Sequence, residues 1–194
     1  MNAAGAGRVP RIVQLNYAIR TASFAYCFVV MGLLFWERQM GLAAWGMLAL
    51  QFLAYPHLVW LRALHAGNPR RAELQNMLLD SIVIGLWVAV AGFPMWIAFG
   101  GIFSVTLNSA VMSGGRGAAA AVVGFCLGAI LWVVPMGFAP IAQTSHLVAT
   151  LCFVGALAYA WGVGMVAYAQ NQRLREARDA LREARERPAK KPPE

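Results

Sequence analysis

The chain has 194 residues, of which 60% are apolar and only 12% charged, with a formal net charge of +8. Soluble domains carry roughly 25% charged residues. A water-soluble domain is therefore excluded: the apolar residues come in long runs rather than amphipathic stripes, and their solvent is lipid. The basic residues sit between those runs and near the C-terminus rather than on one folded face with interleaved aromatics, which excludes direct nucleic-acid binding.

Six segments approach or reach the ~20 apolar residues that a spanning helix needs: 17–36, 43–62, 75–93, 95–113, 117–137 and 146–169. The predicted fold is all-α, a polytopic six-helix transmembrane bundle over 17–169 with a short cytoplasmic C-terminal helix. A cytoplasmic segment, 1–16, precedes the bundle; a connector or coiled-coil helix, 170–187, and a disordered tail, 188–194, follow it. The first apolar stretch is too long for a cleaved signal peptide and has no small-residue cleavage site, so it reads as a retained span.

Orientation follows from Lys and Arg. Arg8 and Arg11 precede the first span, Arg62, Arg70 and Arg71 follow the second, Arg116 follows the fourth, and a basic tail follows the sixth. The alternate loops carry only Arg38, beside Glu37. Both termini are thus expected in the cytoplasm. Trp36, Trp45, Trp96 and Trp132 near outer span ends, and Trp60 near an inner one, fit interfacial belts. Ser113–Gly117 (SGGRG) reads as a tight turn.

Helix-packing signals are the Gly124/Gly128 pair in the fifth span and the pairs Ala158/Gly162 and Ala160/Gly164 in the sixth. They serve either the bundle itself or a homodimer. After Gln170, Leu174, Ala177, Leu181 and Ala184 fall on a and d positions of two heptads with Arg and Glu elsewhere, giving a solvated helix or a short dimer-forming signalling helix. Pro188 stops it.

Polar groups inside spans are costly and mark function or packing. They are Arg20, Gln51, His57, Asp80 and Asn108. All but Gln51 lie at one predicted depth, about 7 Å inside the inner boundary. Asn76 lies one helical turn below Asp80 on the same face. Asp80 has two candidate partners, His57 and Arg20, and the layer is either a polar switch sensitive to ligand or proton or a charge pair that fixes helix packing. Pro56 removes a backbone donor and predicts a kink beside His57. One His with an Asp and an Asn makes a poor metal set, and His65 and His146 lie elsewhere, so no metal or other cofactor is expected. Cys27, Cys126 and Cys152 are isolated in apolar runs and read as small core residues. Motifs of soluble enzymes are absent.

The stretch YPHLVW at 55–60, the basic loop ending near Asn76, Asp80 in the next helix, Asn108 and the Ser-Gly-Gly turn at 113–115 together resemble the type 2 membrane-associated sensor domain. This is the membrane input module of some bacterial diguanylate and class III adenylate cyclases. The resemblance spans about 10–170, and Pro56-His57 followed by Asp80 across a basic loop is its most specific part. It implies a sensory or regulatory module that passes a stimulus, or dimerisation, through a short coiled coil to a cyclase-type output, with Pro56, His57, Asp80 and Asn108 as motif positions. The chain departs from the family pattern in carrying no GGDEF signature and no class III cyclase stretch, so it is read as non-enzymatic. The lipid bilayer, a second copy and a cytoplasmic cyclase or other output domain are the expected partners. The rival readings are a small transporter, a membrane enzyme acting on lipid or quinone, and a passive anchor. The polar groups sit on one side of the bilayer and no internal repeat is evident, which argues against transport.

Overall fold

A computed structural model describes residues 11–141 and 143–186 of the chain. The predicted N-terminal segment falls mostly outside these residues, as do Arg8, Arg187 and the predicted tail. The described residues are helical with no strand: α1 Arg11–Glu37, α2 Leu42–Ala49, α3 Tyr55–His65, α4 Pro69–Val90, α5 Met95–Met136 and α6 His146–Glu186. A π-helical turn, Leu50–Ala54, joins α2 to α3 into one run. Five helices are long and apolar enough to cross a membrane.

Helix α5 is not one rod. Gly114 has φ 67° and ψ −159°, a region that only glycine visits without strain. A Cβ placed on Gly101 would lie 3.4 Å from the Phe125 ring. On a straight helix those residues would stand about 36 Å apart. The chain therefore folds back at Gly114, within the predicted turn, and the two arms of α5 pack side by side.

Lipid tails give helices no hydrophobic reason to associate, so close backbone approach and polar contacts must do so. Helix α4 is the most buried span and touches both arms of α5, α1 and α3. Its approach to the second arm depends on glycine. A side chain at Gly85 would strike the Phe125 carbonyl, and one at Gly128 the Ile82 carbonyl. The Gly124/Gly128 motif thus packs within the chain, whereas Gly162 and Gly164 on α6 face open space.

The start of α4 is set by chemistry rather than hydropathy. The Asn68 side chain accepts a hydrogen bond from the Arg71 N–H at 3.0 Å, and Pro69 occupies the first turn. This places the helix start several residues before the predicted 75 and draws Glu73 into it. At the Pro56 position no N–H is available, and the preceding turn widens into the π form, with the Tyr55 N–H reaching back to the Leu50 carbonyl. Where a kink was expected, the structure has this widened turn.

The helices run between two ends. At one end, the Arg38 guanidinium donates to the Ala91 carbonyl, the Ile141 N–H donates to the Gly92 carbonyl at 2.7 Å, and Phe93 meets Phe138. An aromatic core of Phe35, Trp45, Trp87, Phe52 and Phe24 lies next to that end. Helix α6 runs antiparallel to α1: the Tyr26 hydroxyl donates to the Leu151 carbonyl, and Tyr159 reaches the surroundings of Arg20. Both ends of the described chain thus emerge at the same end of the bundle. Helix α6 continues without a break through the predicted connector to Glu186, a length of about 60 Å against a hydrocarbon core of about 30 Å.

Candidate functional site

The polar layer forms at the end opposite Arg38 and is built on three elements. Helix α1 supplies Arg20, α3 supplies Tyr55, and α4 supplies Glu73, Asn76 and Asp80. The spacing 73, 76, 80 puts the three α4 side chains on one helical face.

Arg20 is the centre. Its Nε donates to Asp80 Oδ2 at 2.8 Å and its Nη2 to Glu73 Oε1 at 2.6 Å. The Tyr55 hydroxyl donates to Asp80 Oδ1 at 2.9 Å. Asn76 Nδ2 donates to the Val59 carbonyl at 3.0 Å and to Glu73 Oε2 at 3.3 Å. Arg62 closes the arrangement from the rim, donating through Nη1 to Asn76 Oδ1 at 2.6 Å and through Nη2 to Gln75 Oε1 at 2.8 Å. Arg20, Glu73, Asn76 and Asp80 are all buried, and Glu73 is only 1% exposed. One guanidinium between two carboxylates satisfies the charges only while all three groups stay in register, because each is expensive to leave alone in a dry interior.

Of the two partners open to Asp80, the structure selects Arg20. His57 is exposed on α3; its Nδ1 meets the Tyr17 hydroxyl at 2.9 Å, and it makes no hydrogen bond to Asp80. Tyr17 in turn stacks on Trp60, with ring centroids 4.7 Å apart. Pro56 is buried beside Tyr55. Asn108 borders a small cavity together with Arg20, Asp80, Asn16 and Tyr159. Gln51 lies apart, in the π turn. On α6, Leu174, Ala177 and Leu181 are exposed, and the side chain of Ala184 falls outside the described residues. No group of three His, Cys, Asp or Glu with metal-binding geometry occurs among the described residues.

Sequence reasoning missed Glu73, Tyr55, Arg62 and Tyr17. Glu73 was assigned to a loop because Arg70, Arg71 and Glu73 depress the local hydropathy. The Asn68-Pro69 capping pair was the available signal that the helix begins earlier. Nothing in the sequence distinguishes the Tyr55 hydroxyl from an ordinary interfacial tyrosine.

Residues 16–102 match the family model of the MASE2 domain, a membrane sensory input domain. The match contains every residue of the Arg20 network and both His57 and Pro56. It ends in the first arm of α5, before Asn108 and the turn at 113–115, and so covers less than the 10–170 over which the resemblance was read. No curated protein and no solved structure matches the chain.

Proposed function

We propose, from the MASE2 match over residues 16–102, that the chain is a sensory module of a bacterial inner membrane, crossing it six times with both termini in the cytoplasm and controlling a nucleotide-cyclase-type output. The fold-back of α5 at Gly114 supports counting its arms as two crossings. The Lys and Arg distribution supports cytoplasmic ends.

The observation that carries the reading is the Arg20–Glu73–Asp80 network joining α1 to α4, with Tyr55 tying in α3 at a π turn. A signal needs an element with two arrangements that a stimulus can bias. A guanidinium shared by two carboxylates supplies one: re-pairing toward Glu73 or toward Asp80 shifts α1 along α4, and the carboxylate left behind keeps a neutral donor, Tyr55 for Asp80 or Asn76 for Glu73. Tyr159 borders the same small cavity, so such a shift reaches α6, whose continuous helix leads away toward an output. The exposed Leu174, Ala177 and Leu181 supply a face through which two copies associate.

The test is a fusion of residues 1–187 to a cyclase domain that is active only as a dimer, expressed in membranes. Wild type is compared with Asp80→Asn at matched amounts of folded protein. The reading expects the variant's cyclase output to be fixed while that of wild type responds to added membrane extracts. Equal, unresponsive output from both would leave a passive anchor.

A further inference from the structure

A second feature of the interior is not used by the network. Between α1, α4, the first arm of α5 and α6 lies a half-open cavity of about 560 Å³, whose α6 wall includes exposed Val154, Ala158 and Gly162; its volume is within the roughly 300–1,000 Å³ typical of small-molecule sites. Its walls are apolar, with Val30, Met31, Phe52, Trp87 and Ile97 on one side and Val163 of α6 on the other. It adjoins the small cavity of about 60 Å³ beside Arg20, and the two share Ser23, Ser104 and Tyr159. The small chamber is where polar groups gather: Arg20, Asp80, Asn16, Asn108 and Ser109 border it, among apolar neighbours such as Phe24, Met77 and Val105. One donor there is unused. Asn16 is only 7% exposed, and its Nδ2 has no hydrogen-bond partner. Buried donors are ordinarily paired, so an orphan on a residue that borders a cavity marks a place for an acceptor.

We propose that the two chambers together hold one single-chain amphiphile, its hydrocarbon chain in the apolar cavity and an uncharged oxygen-bearing head in the polar one, accepting from Asn16 Nδ2. The head is uncharged because Arg20 already binds two carboxylates, which leaves an anion unpaired where desolvation is costly, and because the unused Asn16 Nδ2 is a donor that calls for an acceptor rather than a cation. Long-chain alcohols, monoesters and prenyl quinones share this chemistry. The proposal rests on the sensory reading for its regulatory meaning: the head would touch the network, and the chain would lie against α6.

The test uses the full chain in phosphatidylcholine nanodiscs, with a hexadecanol carrying a diazirine in its chain as the probe, and crosslinked residues identified by mass spectrometry. The expected result is saturable labelling of cavity residues such as Tyr26 and Trp87. Hexadecanol competes about tenfold better than hexadecane or palmitate, the equivalent of one well-made hydrogen bond or one avoided charge burial. Stronger competition by a short-chain ubiquinone than by hexadecanol assigns the site to a membrane redox lipid; stronger competition by hexadecanol and a monoester assigns it to a fatty amphiphile. Gly100→Leu and Gly162→Leu fill the cavity from positions where an added Cβ meets nothing within 4 Å, so they test the site without clashing. Each lowers saturable labelling about tenfold, and Asn16→Leu removes the preference for hexadecanol over hexadecane. The proposal is overturned by labelling that rises without saturation on lipid-facing Leu131 and Trp161, by equal competition from hexadecane in wild type, or by labelling that survives both glycine variants. Binding is read here without an output domain. A chain that binds yet leaves a fused cyclase unmoved overturns the sensory reading alone, and a regulated cyclase without saturable labelling overturns this one alone.

Discussion

At the scale of single residues, Arg20 governs the site. Removing one member of a buried ion cluster strands the others, which costs about 3–5 kcal/mol. Arg20→Leu is therefore expected to lose most of its folded population, read by the melting of detergent-solubilised protein. Adding Glu73→Gln and Asp80→Asn to that variant removes the stranded charges and should recover much of the loss; no recovery would mean that the side chains act independently. Tyr55→Phe deletes a single hydrogen bond to Asp80 and is expected to cost only about 1 kcal/mol. The membership of this cluster was half legible in the sequence. Shared depth grouped Arg20, Asp80, His57 and Asn108, because polar groups in lipid have few places to go, and helical spacing added Asn76 below Asp80; the structure joins Arg20, Asp80 and Asn76 through Glu73, puts His57 on Tyr17 and leaves Asn108 at the adjoining cavity. Depth could not choose between Arg20 and His57 for Asp80, because that choice depends on which way α3 is rotated. Rotation is set by the π turn, which leaves Tyr55 facing Asp80 and His57 facing Tyr17.

At the scale of elements, two devices carry the fold. The first is the contact of α4 with the second arm of α5, where Gly85 and Gly128 meet carbonyls of the opposing helix. Gly128→Leu must push the helices apart and is expected to abolish folding, whereas Gly164→Leu, facing open space, should leave melting unchanged; equal effects would contradict this packing. The second is the fold-back at Gly114, whose dihedral angles cost a non-glycine residue about 1–3 kcal/mol. Gly114→Ala is expected to lower stability by that amount in the same melting assay, whereas Gly115→Ala, with negative φ and open space, should not. That the chain is a set of apolar helices was plain in the sequence, since twenty apolar residues have one solution in lipid; five such helices occur among the described residues where six spans were expected, the fourth and fifth falling together in α5. The helix ends were not plain. Arg70, Arg71 and Glu73 disguised the first turns of α4, which a cap and buried partners make helical in spite of their hydropathy. The π turn before Pro56 was equally hidden, because a missing N–H is compatible with either a kink or a widened turn.

At the scale of the whole molecule, the polar cluster lies at the end of the bundle from which the C-terminal part of α6 extends. Helix α6 is the least buried span: it touches α1 at Tyr26 and α5 at Trp96, and a large cavity lies beside these contacts. A loosely held helix is the one whose position a small change elsewhere can shift. The central claim is therefore that the state of the Arg20 cluster sets the position of α6 relative to α3 and α4. The most direct measurement is the distance between spin labels at Gly67, in the exposed α3–α4 connection, and at exposed Leu174 on α6, in nanodiscs and in a cysteine-free background. The account predicts two distances in wild type and a single one in Asp80→Asn. One unchanged distance in both would contradict it and leave the buried cluster as a fixed strut.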